Sequence, residues 1–178
     1  MTFFDVIVQA IGVVAMILTI GCYQLKRRRF ILTAQYSGNV LWCVHYFFLG
    51  AWPALVTNAL NAVRGFIYSL DKKWAKSNIW VAVFIVLPIT AQLILLYLKL
   101  VDFNTWYSYL PIVATIIAAV ALRIPDENKM RTTYITSVPL WIIYNALAGS
   151  IPGTLSAAFT LVSLIVALVR YRKKRSKK

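Results

Sequence analysis

Acidic side chains are almost missing from this chain. Five aspartates and glutamates stand against nineteen lysines and arginines, and all five (Asp5, Asp71, Asp102, Asp126 and Glu127) lie at the ends of apolar runs or between them. That shortage argues against catalysis by paired carboxylates, and against proton or sodium coupling through a buried acid. His45 is the only histidine and the one group left that titrates near neutral pH, without a carboxylate partner or a positioned nucleophile. The two cysteines, Cys22 and Cys43, have no C-x-x-C spacing, so neither a disulfide framework nor a metal knuckle is indicated; they read as small packing residues. No H-E-x-x-H, P-loop or dinucleotide fingerprint occurs. An enzyme is disfavoured, and no cofactor or metal is expected.

What the chain has instead is apolar length. Of its 178 residues, 61% are hydrophobic and 13% charged, against about a quarter charged in ordinary soluble domains. A membrane span needs about 17–25 mostly apolar residues. Seven such runs are read at Phe4–Gln24, Phe30–Gly50, Trp52–Leu70, Ile79–Leu98, Trp106–Leu122, Thr132–Gly149 and Ile151–Val169. Little chain remains between them for a soluble domain. Runs of this length pair their own backbone groups only as helices, so the expected fold class is all-α integral membrane.

The net charge of +14 is distributed by topology. Seventeen of the nineteen basic residues fall in alternate connections and the tail: Lys26 to Arg29, then Lys72, Lys73 and Lys76, then Arg123, Lys129 and Arg131, then Arg170 to Lys178. The positive-inside rule makes that face cytoplasmic, with the N-terminus outside and the C-terminus inside. The first run has Asp5 before it and the basic block after it, the reverse of a cleaved signal peptide. The basic tail is expected to meet anionic lipid headgroups, not nucleic acid.

Shifting the chain by 99 residues lays Thr33 on Thr132, Trp42 on Trp141, Gly50 on Gly149, Pro53 on Pro152 and Ala59 on Ala158. A Trp, a Gly and a Pro in one register point to an internal repeat of spans one to three in spans five to seven. Span four is then a connector, and both halves insert in the same direction, a known carrier plan. The organisation expected is 1–70 as a first three-helix bundle, 71–104 as linker helix and flanks, 105–170 as a second bundle and 171–178 as a basic tail. Gly12, Pro88, Pro111 and Pro139 are kink-permissive positions.

Spans two and three form a hairpin with its apex near Ala51, so residues at equal depth pair as Asn39 with Arg64, Trp42 with Asn61, and His45 with Asn58. Each set steps by three along one helix face. Polar groups are costly in lipid and turn to a cavity, a partner or each other. Arg64 either lines such a cavity or snorkels to the headgroups; the asparagines and His45 either contact a solute or join helices. The second hairpin supplies Trp141, Tyr144, Asn145 and Thr160, and Trp42 opposite Trp141 would give flat walls to a planar solute.

The three-one-three order resembles the SWEET sugar-transporter fold, with SemiSWEET, PQ-loop and PnuC-type relatives. That resemblance implies a central site flanked by a Trp on the second helix and an Asn on the third, matched here by Trp42 and Asn58, while Trp141 is followed by Ala157 at the second Asn position. The stretch from Gln24 to Arg29, then Asn39, then His45 to Ala51, then Asn58, Asn61 and Arg64 is similar to the YgjV-like family of small bacterial inner-membrane proteins. That implies a multi-pass protein of the inner membrane. The reading is a facilitator for a small polar or planar solute, with Arg64 available to an anionic group such as phosphate or carboxylate. The rival is a non-transporting scaffold or lipid-interacting protein. A homodimer or higher oligomer is compatible with either.

Overall fold

A computed structural model describes residues 3–21, 28–70, 74, 77–102, 104–121, 124 and 126–175. Cys22 and most of the basic connections (Lys26, Arg27, Lys72, Lys73, Lys76 and Arg123) lie outside the described residues. The elements are α1 (Phe3–Gly21), α2 (Arg28–Phe48), α3 (Trp52–Ser69), α4 (Ile79–Tyr97), α5 (Leu110–Ala121), α6 (Glu127–Ile135), α7 (Val138–Leu147) and α8 (Ile151–Arg175), with a 3₁₀ turn, Trp106–Tyr109, running into α5. There is no strand among the described residues. Among the described residues, three segments are long and apolar enough to cross a membrane on those grounds alone: Phe3–Gly21, Ile79–Tyr97 and Ile151–Val169.

The sixth apolar run is not one helix, as its apolar pattern suggested. It breaks at Thr136 and Ser137 into α6 and α7, because Pro139 has no N–H and its ring opposes the carbonyl four residues back. The hydroxyls of Thr136 and Ser137 donate to the Thr133 and Tyr134 carbonyls (both 2.7 Å), satisfying acceptors that the break releases. Pro88, by contrast, sits inside an uninterrupted α4. Pro111 lies in the first turn of α5, where a missing N–H costs nothing. Gly12 likewise lies within a continuous α1. At the other end, α8 continues through Arg175, so no structural break separates the last span from a tail.

Two hairpins define the interior. In the first, Gly50 takes φ +64°, while the Ala51 N–H bonds Tyr46 O (2.9 Å) and the Gly50 N–H bonds Phe47 O (3.1 Å). In the second, Gly149 takes φ +73°, with Ser150 N–H on Asn145 O (2.9 Å) and Gly149 N–H on Ala146 O (3.3 Å). Both are Schellman ends with glycine in the left-handed region, in the same register that the 99-residue shift proposes. Lys99 ends α4 in the same way at φ 56°, without the freedom of a glycine.

α1 packs on α2, α2 on α3 and α7 on α8; α4 bridges α3 and α5, and α1 reaches α8. Close approach comes from small residues, as in membrane helix pairs: Ala15, Ala54, Ala114 and Ala119 are fully buried. A Cβ on Gly12 would come within 2.8 Å of His45 Cε1, and one on Gly38 within 2.5 Å of Thr19 Cγ2. Large apolar side chains meanwhile point outward, among them Ile17, Leu93, Ile94, Phe159 and Val162. A soluble core protein would hide such side chains; a lipid-facing one does not need to.

The left-handed positions give a first prediction. Lys99→Gly should stabilise the protein by about 1 kcal/mol and Gly50→Ala should destabilise it by a similar amount. Thermal unfolding in detergent reads both, with Gly65→Ala, inside α3 and with nothing within 4 Å of the added Cβ, as a comparison expected to stabilise by about 0.5–1 kcal/mol.

Candidate functional site

The inner faces of both hairpins border a cavity of about 640 Å³, within the roughly 300–1,000 Å³ typical of small-molecule sites. α2 contributes Asn39 and Trp42; α3 contributes Asn58, Asn61 and Arg64; α7 contributes Trp141 and Asn145; α8 contributes Thr160. Eight of the ten side chains expected at a site are therefore brought together. The cavity runs along α8 from Gly153 to Ala167, about 21 Å of helix at 1.5 Å per residue.

His45 and Tyr144 are the two that it does not include. The His45 ring, 0% exposed, fills the gap that Gly12 leaves on α1. Its Nδ1 donates to the Val8 carbonyl (2.8 Å), which can only accept, so Nε2 is left to take the Ser150 O–H (2.8 Å). Ser150 Oγ in turn accepts the Gly153 N–H at 3.1 Å. His45 thus pins α1 and the first hairpin to the second, and despite its equal depth with Asn58 it is not among the cavity's lining residues. Tyr144 is 2% exposed, edge-on to Trp141 (6.2 Å, 90°) and packed in a cluster with Trp42, Ala15 and Ala54. Small partners on α1 and α3 give its ring a core slot, and its neighbour Asn145 takes the cavity position.

Tyr46 and Asn145 close the hairpin-tip end. The Tyr46 O–H donates to Asn145 Oδ1 at 2.8 Å, across a sequence separation of 99. Gln9 Nε2 adds a bond to Gly149 O (2.9 Å) at the same end. Trp42 stacks on Tyr46 at 5.5 Å and 21°, so one of its faces is already occupied and the wall there is a Trp–Tyr pair, not a bare indole. At the opposite end the lining is Thr19, Ile20, Met130 and Arg131.

Arg64 does not snorkel out of the protein. It is 8% exposed, lines the cavity, and sets its Cζ 6.0 Å from the centroid of Phe84 on α4, the outer reach of a cation–π contact. Tyr134 of α6 is within its electrostatic range. The Asn58 amide donates to Ala54 O (2.9 Å) and the Thr160 hydroxyl to Ser156 O (2.9 Å), each on its own helix. Asn61 Oδ1 is buried with no hydrogen-bond partner.

Several lining residues are not evident from the sequence: Tyr46, Arg131, Tyr134 and Ser163. The 99-residue shift holds a signal for two of them, since it lays Tyr46 on Asn145 and Arg64 on Ser163. Arg131 reads in the sequence only as a topology charge.

A family model described as a bacterial inner membrane protein, Imp-YgjV, matches residues 6–175. The chain is 31% identical over 165 residues to the inner membrane protein YgjV of Escherichia coli (strain K12), covering 92% of this chain and 83% of that relative. No solved structure matches the chain.

The tip contact generates a prediction. In a Tyr46→Phe and Asn145→Ala double-mutant cycle, the double variant should lose less stability than the two singles combined, with a coupling of about 0.5–1.5 kcal/mol. Unfolding in detergent measures it, and additivity would mean that the two groups do not interact.

Proposed function

Starting from a chain that belongs to the Imp-YgjV family of bacterial inner membrane proteins, we propose that it is a facilitative carrier for a small polar or planar solute, working by alternating access. The cavity carries this reading: about 640 Å³, amide- and indole-lined, and embedded among helices with apolar outer faces. In a scaffold, polar groups would be expected to meet one another across helix contacts, whereas here amides and indoles from four helices border one shared space.

The wider architecture in this reading is seven spans, with α6 and α7 forming one of them. Two parallel three-helix bundles are joined by α4, as in the SWEET plan, with the N-terminus outside and the C-terminus cytoplasmic. Its supports are the two glycine turns in matching register and the Tyr46–Asn145 bond. Residues related by a two-fold axis touch their own counterparts only near that axis, and 46 and 145 are counterparts under the repeat. The basic residues assign the tip end to the outside. In this reading the Tyr46–Asn145 end faces outside and the end lined by Thr19 and Arg131 faces the cytoplasm. Release of the Tyr46–Asn145 and His45–Ser150 contacts, with closure at the basic end, gives the opposite state. The break before α7 and the glycine turns supply places to bend.

Uptake of labelled solutes (sugars, nucleosides, vitamins and amino acids) into proteoliposomes tests the proposal. A transported solute should lose about tenfold or more of its rate in Asn58→Ala and Arg64→Ala, with folding intact by circular dichroism. Failure of every class to cross above empty liposomes would contradict it and favour the scaffold.

A further inference from the structure

Resting on the carrier reading, the charge and spacing of the lining narrow the solute class. Two arginines, Arg64 and Arg131, border the cavity, and no aspartate or glutamate is among its described lining residues. Ionisable side chains within membrane segments are rare and mark solute or ion sites more often than packing contacts. Arg64 lies over the Phe84 ring at 6.0 Å, and Tyr134 adds a polar aromatic to the same lining. That end of the site is built for negative charge.

The next groups inward along α3 have a different character. Asn61 is three residues from Arg64, about 4.5 Å of rise, and Asn58 is six residues away, about 9 Å. The buried Asn61 Oδ1 lacks a donor. An orphaned acceptor costs roughly 1–3 kcal/mol, and because Asn61 lines the cavity, a donor on a solute would offset that cost. The indoles of Trp42 and Trp141 line the same space, and such surfaces favour a flat ring.

We infer that the solute is a small ring-bearing anion, a carboxylate or phosphate monoester. Its charged end lies toward Arg64 and Arg131, and an O–H or N–H at its far end reaches Asn61. A para-substituted benzene ring, with the charge at one end and the donor at the other, is the simplest member of that class.

Isothermal titration calorimetry on the purified full-length protein tests this with five probes of one shape. They are 4-hydroxybenzoate, 4-hydroxyphenyl phosphate, 4-hydroxybenzamide, 4-hydroxybenzylamine and 4-methoxybenzoate. The expected result is binding of at least one hydroxylated anion about tenfold or more tighter than the amide, the amine and the methoxy analogue. Arg64→Gln should abolish the preference for anion over amide, and Arg64→Lys should restore part of it. Arg131→Gln, at the cavity mouth, should reduce the same preference if Arg64 variants fail to fold. Equal or tighter binding of the amide or the amine overturns the anion assignment, equal binding of 4-methoxybenzoate overturns the donor assignment, and no binding of either hydroxylated anion overturns both. Liposome uptake of the same probes separates this inference from the carrier reading. Binding without uptake removes transport and leaves the anion site, whereas uptake of the amide in preference to the anions does the reverse.

Discussion

Hydrogen bonds between the two hairpins, made where no water competes for them, hold the rest of this structure in place. His45 on Ser150 and Tyr46 on Asn145 are both 2.8 Å long and tie residues more than ninety positions apart. Individually such bonds in membrane proteins are worth about 0.6–2 kcal/mol. Their position matters more than their sum. They join the two hairpins at their tips, and the cavity lies between the hairpins beyond that junction. Gly12 and Gly153 are part of the same device, since a Cβ at either would run into His45 or into the Asn145 amide.

The polarity that makes the cavity is also what makes its walls poor membrane segments in isolation. α2 and α3 carry Asn39, His45, Asn58, Asn61 and Arg64, and neither is among the segments apolar enough to span on their own. Packed against each other and against α1 and α4, they turn those groups inward and their apolar residues outward. The family assignment and the inner-membrane location agree with that division.

Much of this was legible in the residues. Helical class followed from run length, the hairpin turns from Gly50 and Gly149, and eight of the expected lining residues from equal depth on antiparallel helices. Depth, however, is one coordinate, and rotation about the helix axis is another. His45 has the right depth but turns into the Gly12 gap on a different helix, which pairing within one hairpin cannot reveal. Tyr144 was captured by small partners on α1 and α3 for the same reason. The break at Thr136 was foreshadowed by Pro139, but the apolar pattern runs through it without interruption. Arg131 lies beside a turn and reads as a topology charge until tertiary packing brings α6 against α8.

The central claim is that the polar centre is a water-reachable hollow, closed at the tips and open at the basic end. Cysteine accessibility measures this most directly. In a Cys22→Ser, Cys43→Ser background, Ser163→Cys should react with a membrane-impermeant thiol reagent added from the cytoplasmic side of inverted vesicles, while Ala54→Cys at the closed tip should stay unlabelled from both sides. Labelling of Ala54→Cys from outside, or a Ser163→Cys inert from the cytoplasm, would contradict the account.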